Sequence, residues 1–463
     1  MKRFRRDVNG ITQGVIWQQL LLFFFPIVLG TFFQQLYNTA DAIIVGKTVG
    51  KEALAAVGGS TGTLINLLVG FFVGVASGAS VIIAQYYGAR KAKDMSRAVH
   101  TAILLCTICG AALTVVGMMI APAVLHLMGT PDDVMAYAVP YIRVYFLGMI
   151  PSLLYNVGSG ILRATGDSRR PMVFLICAAM ANVVLDVLFV MGFGLGTAGA
   201  GIATVLSQVL SASLVMATLM RSHQPYQVSL SKLALDGGML MQIVKIGLPA
   251  GLQSVMYSLS NIIIQAGVNS FGTDVIAAWT AYGKVDGLFW MTVSAFGVAI
   301  TTFAGQNFGA GQIARMKKSV RVCMGMSAGT TIFMSTILLL FGRALLGMFT
   351  DDAHVLDTGY GIMKLIVPTY IAYISIEILS GAMRGTGDSL MPTIMTLTGV
   401  CLMRVFWVGV VLPANRSLTV LLMSYPITWV ITSAMFIVYY LRGNWLRRRI
   451  AAAGIRCVEE ENT

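Results

Sequence analysis

Two acidic residues lie inside stretches of the sequence that are apolar enough to cross a lipid bilayer. Asp186 lies within an apolar run over residues 172–191, and Asp41 ends a polar stripe on the first long apolar segment. An ionised Asp at a bilayer centre costs about 2.5–3.5 kcal/mol on insertion scales, so such residues usually face a protein interior or a wet cavity and hold a proton, an ion or a substrate. These two acids are therefore the first candidates for chemistry.

Other polar residues accompany the acids at helical spacing. Asn182 lies four residues before Asp186, which places both side chains on one face of a helix. Two polar stripes, on the first and sixth apolar segments, contain Gln34, Tyr37 and Asn38, and Thr204, Ser207, Gln208 and Ser211. Their oxygens suit a hard cation, and two carboxylates can share a proton. A structural network between helices is the alternative, but a network that needs no charge could use Asn. We therefore predict that Asp41 and Asp186 bind a coupling cation or proton, and the structural network stays the alternative for Thr204 and Gln208.

The elements that must position these residues are membrane helices. Of the 463 residues 57% are hydrophobic and 11% are Asp, Glu, Lys or Arg, against about 25% charged residues in soluble domains. Most of the apolar segments exceed the roughly twenty residues that a span needs. We predict an all-α polytopic membrane protein with twelve spans, near residues 16–45, 53–86, 97–121, 136–162, 171–192, 198–220, 241–269, 275–305, 319–346, 357–383, 391–412 and 418–441.

The basic residues predict the orientation of the chain. The net charge is +13, but the basic residues form short clusters between apolar runs and no basic domain, which argues against nucleic-acid binding. With both termini in the cytoplasm, 24 of the 32 basic residues fall on the inner side, as the positive-inside rule requires. The predicted cytoplasmic segments are the N-terminus (1–15), a linker (221–240) and a C-terminal tail (442–463).

An internal repeat divides the spans into two halves. The run that begins at Ser159 and ends at Pro171 returns between Ser380 and Pro392, with eight of thirteen positions identical at an offset of 221. Pro26 and Asn38 return as Pro249 and Asn261 at an offset of 223. Six spans are an even number, so both halves cross the membrane in the same sense, as in transporters with parallel repeats. We predict an N-lobe over 16–220 and a C-lobe over 241–441.

The repeated Arg-x-Thr-Gly-Asp-Ser-x-x-Pro motif has a structural interpretation. Gly can end one helix in a left-handed conformation, Asp or Ser can cap the next helix, and Pro fits its first turn. Gly70, Gly74 and Gly78 form a small-xxx-small pattern that normally means close helix packing. We predict tight helix-to-helix turns and a packed glycine face, with a direct role of the turns in gating as the alternative.

The second half carries fewer acids. Its polar positions at helical spacing are Gln253, Tyr257 and Asn261 on its first span and Tyr373 and Glu377 on its fourth. Glu377 has no basic neighbour within its own apolar segment, whereas Lys284 and Asp286 are close enough along the chain to compensate one another partly. Arg143 and Arg404 also lie within spans, where they either snorkel or pair with acids. We predict a cavity lined by Gln34, Tyr37, Asn38, Gln253, Tyr257, Asn261, Tyr373 and Glu377.

The sequence contains no signature of catalysis. It has no Walker-type phosphate loop and no His-rich metal spacing, and five of its six cysteines fall within apolar segments, where Cys106 and Cys109 read as buried core residues. We therefore expect no enzyme activity, no cofactor and no metal beyond a Na⁺ at the coupling site. Without a nucleotide site, transport must draw on an H⁺ or Na⁺ gradient, with alternating access between the lobes.

At these residues the sequence resembles the multidrug and toxic compound extrusion (MATE) family over nearly its whole length. The matching features are the twelve spans in two halves, Pro26 and Asp41, the twin turn motifs, Asn182-x-x-x-Asp186, the run Gly201 to Thr204, and Gln306-Asn307-x-Gly309-Ala310-Gly311. The resemblance implies a V-shaped pair of six-helix bundles that export organic, often cationic or aromatic, compounds by cation-coupled antiport. It also implies an N-lobe coupling site at Asp41, Asn182, Asp186 and Thr204, and a helix kink at Pro26.

One departure from that family concerns the C-lobe. NorM-type members look to carry an acid pair there, whereas the comparable positions here, counted from Pro249 and Arg384, are Tyr257 and Tyr373. The resemblance is therefore closer to the branch with an N-lobe acidic site. The alternative function is a flippase of the same superfamily for lipid-linked saccharides, and a receptor or uncoupled channel is a third hypothesis. We expect a monomer in the bacterial cell membrane with small organic molecules and the lipid bilayer as its partners.

Overall fold

The computed structural model describes residues 10–455 and consists of helices joined by short turns. The predicted basic cluster of the N-terminus (Lys2, Arg3, Arg5 and Arg6) lies outside the described residues, as does Arg456 of the C-terminal cluster. The helices are α1 (Ile16–Thr48), α2 (Lys51–Gly58), α3 (Ser60–Gly88), α4 (Ala92–Leu127), α5 (Asp132–Leu147), α6 (Met149–Ala164), α7 (Arg169–Asp186), α8 (Gly196–Arg221), α9 (Gly237–Asn269), α10 (Thr273–Gly309), α11 (Ile313–Leu346), α12 (Ala353–Ile366), α13 (Tyr370–Gly385), α14 (Leu390–Thr396), α15 (Met403–Phe406), α16 (Leu412–Ala414), α17 (Leu418–Arg442) and α18 (Trp445–Ala453).

The helices confirm the predicted all-α membrane architecture. Within residues 10–455, eleven helical segments are long and apolar enough to span a bilayer, and some of them consist of two or three of these helices in succession. Helices α5 and α6 make a twelfth span that bends by 50°. The bend falls at Gly148, between Leu147 and Met149. Each span coincides with one of the twelve predicted segments, and the structure extends most of them by a few residues at their polar ends.

Two of the spans contain π-helical turns. Residues Val187–Gly192 continue α7 directly after Asp186. In the second half, the π-helical segments Leu397–Leu402 and Trp407–Val411 flank the short helix α15, which carries Arg404. Such turns widen a helix locally and are frequent at functional sites. In both spans, therefore, a π-helical segment lies close to a charged residue within the membrane, Asp186 in one span and Arg404 in the other.

The chain forms two compact units. The N-terminal unit contains Leu22–Gly251, and the C-terminal unit contains Gly10–Leu21 together with the residues from Leu252 onward. The division falls within α1 and within α9, whereas the sequence places the lobe boundaries in the polar segments outside the spans. In the N-terminal unit α4 packs against α3, α5 and α6, while in the C-terminal unit α10 packs against α11, α12 and α13.

The segment before α1 is attached to the C-terminal unit by one side chain. Arg315 donates hydrogen bonds to the backbone carbonyls of Ile11, Gln13 and Gly14 at 2.9–3.2 Å. It also donates to Oε1 of Gln19 at 3.1 Å. A guanidinium has five N–H donors in a fixed arrangement, so a single residue of α11 holds the start of the described chain in place.

The linker between α8 and α9 is docked against the beginning of α4. The buried His100 accepts a hydrogen bond from the Ser229 N–H at 3.0 Å, and Arg97 pairs with Asp236. The pKa of Asp236 lies below its usual range because its carboxylate accepts a hydrogen bond from the Met239 N–H and because Arg97 is beside it. A lowered carboxylate pKa stabilises the folded state at neutral pH, and this contribution is lost as the pH falls through the lowered pKa.

The twin turn motifs have the predicted geometry. Gly166 and Gly387 adopt φ values of 97° and 87°, a region that glycine tolerates without steric cost. The Asp167 carboxylate accepts hydrogen bonds from the N–H groups of Arg169 and Arg170 at 3.1 Å each and thereby caps α7. In the second turn, Arg449 donates to the Thr386 carbonyl at 3.0 Å and 3.1 Å. The structural interpretation of the motif is confirmed, and the gating alternative stays a prediction.

The predicted glycine face on α3 packs closely within the N-terminal unit. A Cβ atom added at Gly78 would lie 2.4 Å from the Ile243 carbonyl oxygen and 2.6 Å from the Gly247 nitrogen, both on α9. At Gly74 it would lie 2.5 Å from the Cα of Gly251. Backbones that approach this closely leave no room for a side chain, which is the typical use of small residues between membrane helices.

We expect Gly78→Ala to destabilise the protein by about 1–3 kcal/mol because the added methyl group overpacks a backbone contact. The measurement is the thermal unfolding midpoint of the purified protein, followed by intrinsic tryptophan fluorescence in detergent. Gly329→Ala is the matched control, since Gly329 lies inside α11 with no atom within 4 Å of an added Cβ. Equal midpoints for the two variants would contradict the packing described for α3.

Candidate functional site

The four predicted coupling residues are buried in the N-terminal unit. Asp41 lies on α1, Asn182 and Asp186 lie on α7, and Thr204 lies on α8, which packs against α7. Asn182 and Asp186 are 0% exposed, and Asp41 and Thr204 are 6% exposed. Burial of this degree separates the two carboxyl groups from bulk water, so their charges depend on nearby protein groups and bound ions.

The acids are near enough for their charges to interact. Asp41 acts electrostatically on Asp186, and both acids act on the buried Tyr141 of α5. Tyr141 was not among the predicted site residues, because a tyrosine in an apolar segment gives no sequence signal of its own. Directly beyond Asp41, an apolar cluster that contains Val45, Tyr141 and Val190 closes this side of the group.

Most polar atoms of this group have no hydrogen-bond partner in the protein. The unpartnered atoms are Oδ1 of Asp41, both carboxylate oxygens of Asp186, and both Oδ1 and Nδ2 of Asn182. Buried polar atoms in native proteins nearly always have a partner, and each exception needs an explanation. Several oxygens without partners around two carboxyl groups form a site with the chemistry of a Na⁺ or proton site.

A cavity of about 280 Å³ lies in the same unit. Gln34, Tyr37 and Pro26 of α1 line it, as do Ser207, Gln208 and Ser211 of α8. Asn38 is exposed and does not line this cavity; its side chain donates to Oε1 of Gln35 at 3.4 Å. Pro26 lies inside α1, so the predicted kink at this residue stays a prediction.

The C-terminal unit contains a cavity of about 470 Å³. Of the residues predicted for the cavity, Tyr257 and Asn261 on α9 and Tyr373 on α13 line it. Gln253 and Glu377 are not among the lining residues. Sequence reasoning left out a larger set, which consists of Gln265, Trp279, Tyr282, Asp286, Trp290, Arg404, Tyr425 and Trp429. These residues are mostly aromatic, and in a chain with 22 phenylalanines and 16 tyrosines aromatic residues do not stand out.

Asp286 is held by three donors rather than by Lys284. The Tyr370 hydroxyl and the Tyr282 hydroxyl donate to its Oδ1, the latter at 3.3 Å, and Trp290 Nε1 donates to its Oδ2 at 2.7 Å. Lys284 is exposed, so the predicted compensation between Lys284 and Asp286 is wrong. Neighbours on a helix two residues apart point in different directions, and the tertiary contact with α13 supplies the partner instead.

Glu377 has a basic partner on its own helix. Nη2 of Arg384 lies 3.7 Å from Oε1 of Glu377, and the Tyr373 hydroxyl donates to Oε2 at 3.4 Å. The prediction that Glu377 lacks a basic neighbour is wrong because the predicted apolar segment ends at residue 383, one residue before Arg384. The helix α13 continues to Gly385 and includes both residues. The carboxylate also lies directly against Gly297 of α10, where an added Cβ would be 2.1 Å from it.

The comparisons with known proteins identify the family. The MatE family model matches residues 26–188 and 249–408, one match in each half of the chain. The chain belongs to the MATE family. Its relatives include the probable multidrug resistance protein YoeA of Bacillus subtilis, which is 29% identical over 83% of this chain and 84% of that protein. The FAD transporter of Shewanella oneidensis is 26% identical over 76% of this chain and 78% of that protein.

Solved structures of transporters have the same fold as this chain. A MOP superfamily transporter from Pyrococcus furiosus superimposes with a TM-score of 0.88 and 22% identity, over 97% of this chain and 99% of that chain. Members of the MATE family are transporters, and nothing in the described residues points to catalysis. Within residues 10–455, no three His, Cys, Asp or Glu side chains come together as ligands for a metal ion.

Two of the predicted cavity residues meet in the C-terminal unit. The hydroxyls of Tyr257 and Tyr373 are 3.5 Å apart at the edge of the larger cavity. Trp290 packs edge to face against Tyr373 with 4.6 Å between ring centroids. Hydroxyls bind a cation more weakly than carboxylates, so this pair supplies hydrogen bonds and aromatic surface.

We expect Asp286→Ala to lower stability by about 3 kcal/mol or more, because Tyr282, Tyr370 and Trp290 would lose a charged acceptor inside the protein. Asp286→Asn keeps one acceptor oxygen, so its stability should lie between that of Asp286→Ala and that of the unmodified protein. Thermal unfolding of the purified variants measures the effect. The control is Asp351→Ala, which removes an exposed carboxylate outside the helices; an unfolding midpoint for Asp286→Ala as high as that of the control would contradict this assignment.

Proposed function

We propose that this MATE family protein is a cation-coupled antiporter that exports organic compounds from the cell by alternating access. The observation that carries the proposal is the group of buried, unpartnered oxygens on Asp41, Asn182 and Asp186. Two carboxyl groups that interact at membrane depth cannot both be ionised without a cation. A proton or Na⁺ that enters there would change the relative stability of two conformations, which is how an ion gradient drives transport.

Each residue of the site has a distinct role in this proposal. Asp41 and Asp186 bind the coupling ion, either as a proton on one carboxyl group or as Na⁺ between two. Asn182 and Thr204 supply neutral oxygens that suit Na⁺, and an amide and a hydroxyl can equally orient a protonated carboxyl group. Gln34 and Tyr37 line the adjacent cavity and would contact a substrate beside the coupling site.

The acids support the branch of the family with an N-lobe acidic site. The acids within the spans of the C-terminal unit already have partners, since Glu377 pairs with Arg384 and Asp286 accepts from three donors. A coupling ion would compete poorly for carboxylates that are already compensated. Among the buried side chains of residues 10–455, the carboxylate oxygens without a partner belong to Asp41 and Asp186 in the N-terminal unit.

The comparisons favour export of drugs or toxic compounds over the flippase alternative. The relative YoeA bears the name of a probable multidrug resistance protein, and the family model matches in both halves. We also propose that both termini lie in the cytoplasm. The basic residues that follow α3, α10 and α17 support this orientation, because Lys and Arg are enriched on the cytoplasmic side of membrane proteins. The protein would lie in the bacterial cell membrane and act as a monomer.

We expect Asp41→Asn and Asp186→Asn each to abolish gradient-driven efflux, because an amide cannot take up a proton or provide the charge that Na⁺ requires. The measurement is ethidium efflux from vesicles that contain the purified protein, with a proton gradient and a sodium gradient imposed separately. Rhodamine 123 and fluorescein serve as further substrates. The gradient that drives efflux in the unmodified protein identifies the coupling ion.

The control variant is Asp132→Asn, which changes an exposed acid at the start of α5 and should transport at the unmodified rate. Thermal unfolding of all variants shows whether they fold. Efflux at the unmodified rate in both Asp41→Asn and Asp186→Asn would exclude this coupling site. If neither gradient drives the movement of any of the three dyes, the result would favour the alternative function, a flippase for lipid-linked substrates.

A further inference from the structure

One arginine is buried in the C-terminal unit without an acidic partner. Arg404 is 2% exposed, and no Asp or Glu oxygen of the described residues lies within 4.0 Å of its guanidinium. Its one hydrogen bond is long, 3.5 Å from Nη1 to Oδ1 of Asn261, and its Nε has no partner. A buried charge without compensation costs several kcal/mol, and a guanidinium has five N–H donors to satisfy.

Snorkelling does not explain this residue. Arg404 lies in the middle of a span that runs from Leu390 to Ala414, and long side chains reach the membrane surface only from near the ends of a helix. The π-helical segments on both sides of α15 instead accompany a side chain that lines a cavity. The unpartnered donors therefore belong to a site inside the protein.

Aromatic rings surround the guanidinium. Its central carbon lies 4.0 Å above the centroid of the Tyr425 ring and 6.0 Å from that of Trp429. Trp279 packs against Tyr425 on the same wall with 5.9 Å between centroids. Stacking on tyrosine covers one face of the guanidinium and leaves its N–H edge for a ligand in the plane. The walls of the cavity offer flat surfaces to an aromatic ring.

The acid in the same cavity does not neutralise Arg404. Both oxygens of Asp286 accept hydrogen bonds from Tyr282, Tyr370 and Trp290, and no ion pair connects Asp286 with the guanidinium. Donors from three sides stabilise the carboxylate where it is. The cavity thus contains one compensated negative charge and one positive charge whose donors are mostly unused.

The internal repeat places different residue types at equivalent positions of the two halves. At the offset of 223 Asp41 corresponds to Ile264, and at the offset of 221 Asp186 corresponds to Trp407. Arg404 takes the position of Val183, directly after Asn182. At these positions the C-terminal half carries neither acid, and the span equivalent to that of Asp186 carries a cation, which favours an anionic ligand in this unit.

We propose that the cavity of the C-terminal unit binds a planar aromatic carboxylate. Arg404 pairs with the carboxylate in its plane, Asn261 holds the guanidinium, and Tyr425, Trp429 and Trp279 contact the ring system. Guanidinium and carboxylate match in a two-point hydrogen-bonded pair. The cavity of about 470 Å³ falls within the usual range of about 300–1,000 Å³ for ligand pockets. As a substrate site, this inference rests on the proposed export function.

Two dyes with one ring system test the proposal. Both dyes are a xanthene with a pendant phenyl ring. Fluorescein carries a carboxylate on that phenyl ring, whereas rhodamine 123 carries a methyl ester there and a positive charge on its xanthene. Their binding to the purified full chain in detergent, without any gradient, is followed by fluorescence anisotropy. We expect the unmodified protein to bind fluorescein more tightly than rhodamine 123. Arg404→Gln should weaken fluorescein binding about tenfold or more and leave rhodamine 123 binding equal or stronger.

The variants separate charge from geometry. Arg404→Lys keeps the charge but loses the planar fork, so its affinity for fluorescein should lie between those of the other two proteins. Arg343→Gln is the matched control, because Arg343 is also an arginine near a tyrosine ring, 5.6 Å from Tyr360, but is exposed and pairs with Asp357. It should bind fluorescein as the unmodified protein does.

Each outcome decides the proposal. Equal fluorescein affinities of Arg404→Gln and the unmodified protein would overturn it, as would tighter binding of rhodamine 123 than of fluorescein to the unmodified protein. The dye preference needs no variant, so it decides the question even if Arg404→Gln does not fold. Because binding is measured without a gradient, failure of the coupling proposal appears as normal binding without driven efflux, and failure at Arg404 appears as efflux without a preference for the carboxylate.

Discussion

The structure depends on how it compensates charged groups at membrane depth. Lipid tails offer no hydrogen bonds, so a carboxylate or guanidinium inside a span needs a partner within the protein, a bound ligand or a change in protonation. In this protein two acids of the C-terminal unit are compensated by protein groups alone. Glu377 pairs with Arg384, which lies seven residues further along the same helix. Asp286 accepts hydrogen bonds from one tryptophan and two tyrosines. These residues stabilise the unit in which they lie.

The carboxyl groups with unpartnered oxygens and the buried guanidinium with an unpartnered Nε lie in different units. Asp41 and Asp186 lie in the N-terminal unit, and Arg404 lies in the C-terminal unit. A transporter that exchanges an inward-moving cation for an outward-moving organic compound needs one site that accepts a cation and one that recognises cargo. Location of the two functions in different halves of a repeated fold would let each half change its polarity without disturbing the other. The repeat supplies equivalent helices that carry different polar and charged residues in the two halves.

The fold that holds these groups relies on features that allow little change. Gly74 and Gly78 bring α3 against α9 at backbone distance, and Gly381 and Gly385 do the same for α13 against α10. Such contacts let the backbones of two helices approach closely because no side chain lies between them. The capped turns at Gly166 and Gly387 set the angles at which α7 and α14 leave the preceding helices. The positions of Asp186 and Arg404 follow from helices that these turns begin.

The amino-acid sequence determined the helices, their number and the repeat. Twenty apolar residues in a row have one stable arrangement in lipid, so each predicted segment became a span, and Gly-Asp-Ser followed by Pro became a capped turn. Spacing alone also brought Asn182 and Asp186 onto one face of α7. The sequence did not determine which side chains on other helices the charged residues contact. Whether Asp286 meets Lys284 or Tyr370, and whether Arg404 meets an acid or a cavity, depends on which faces of distant helices pack together. Spacing along one helix contains no information about that packing, so only the tertiary structure decided which charges are compensated and which are left for an ion or a substrate.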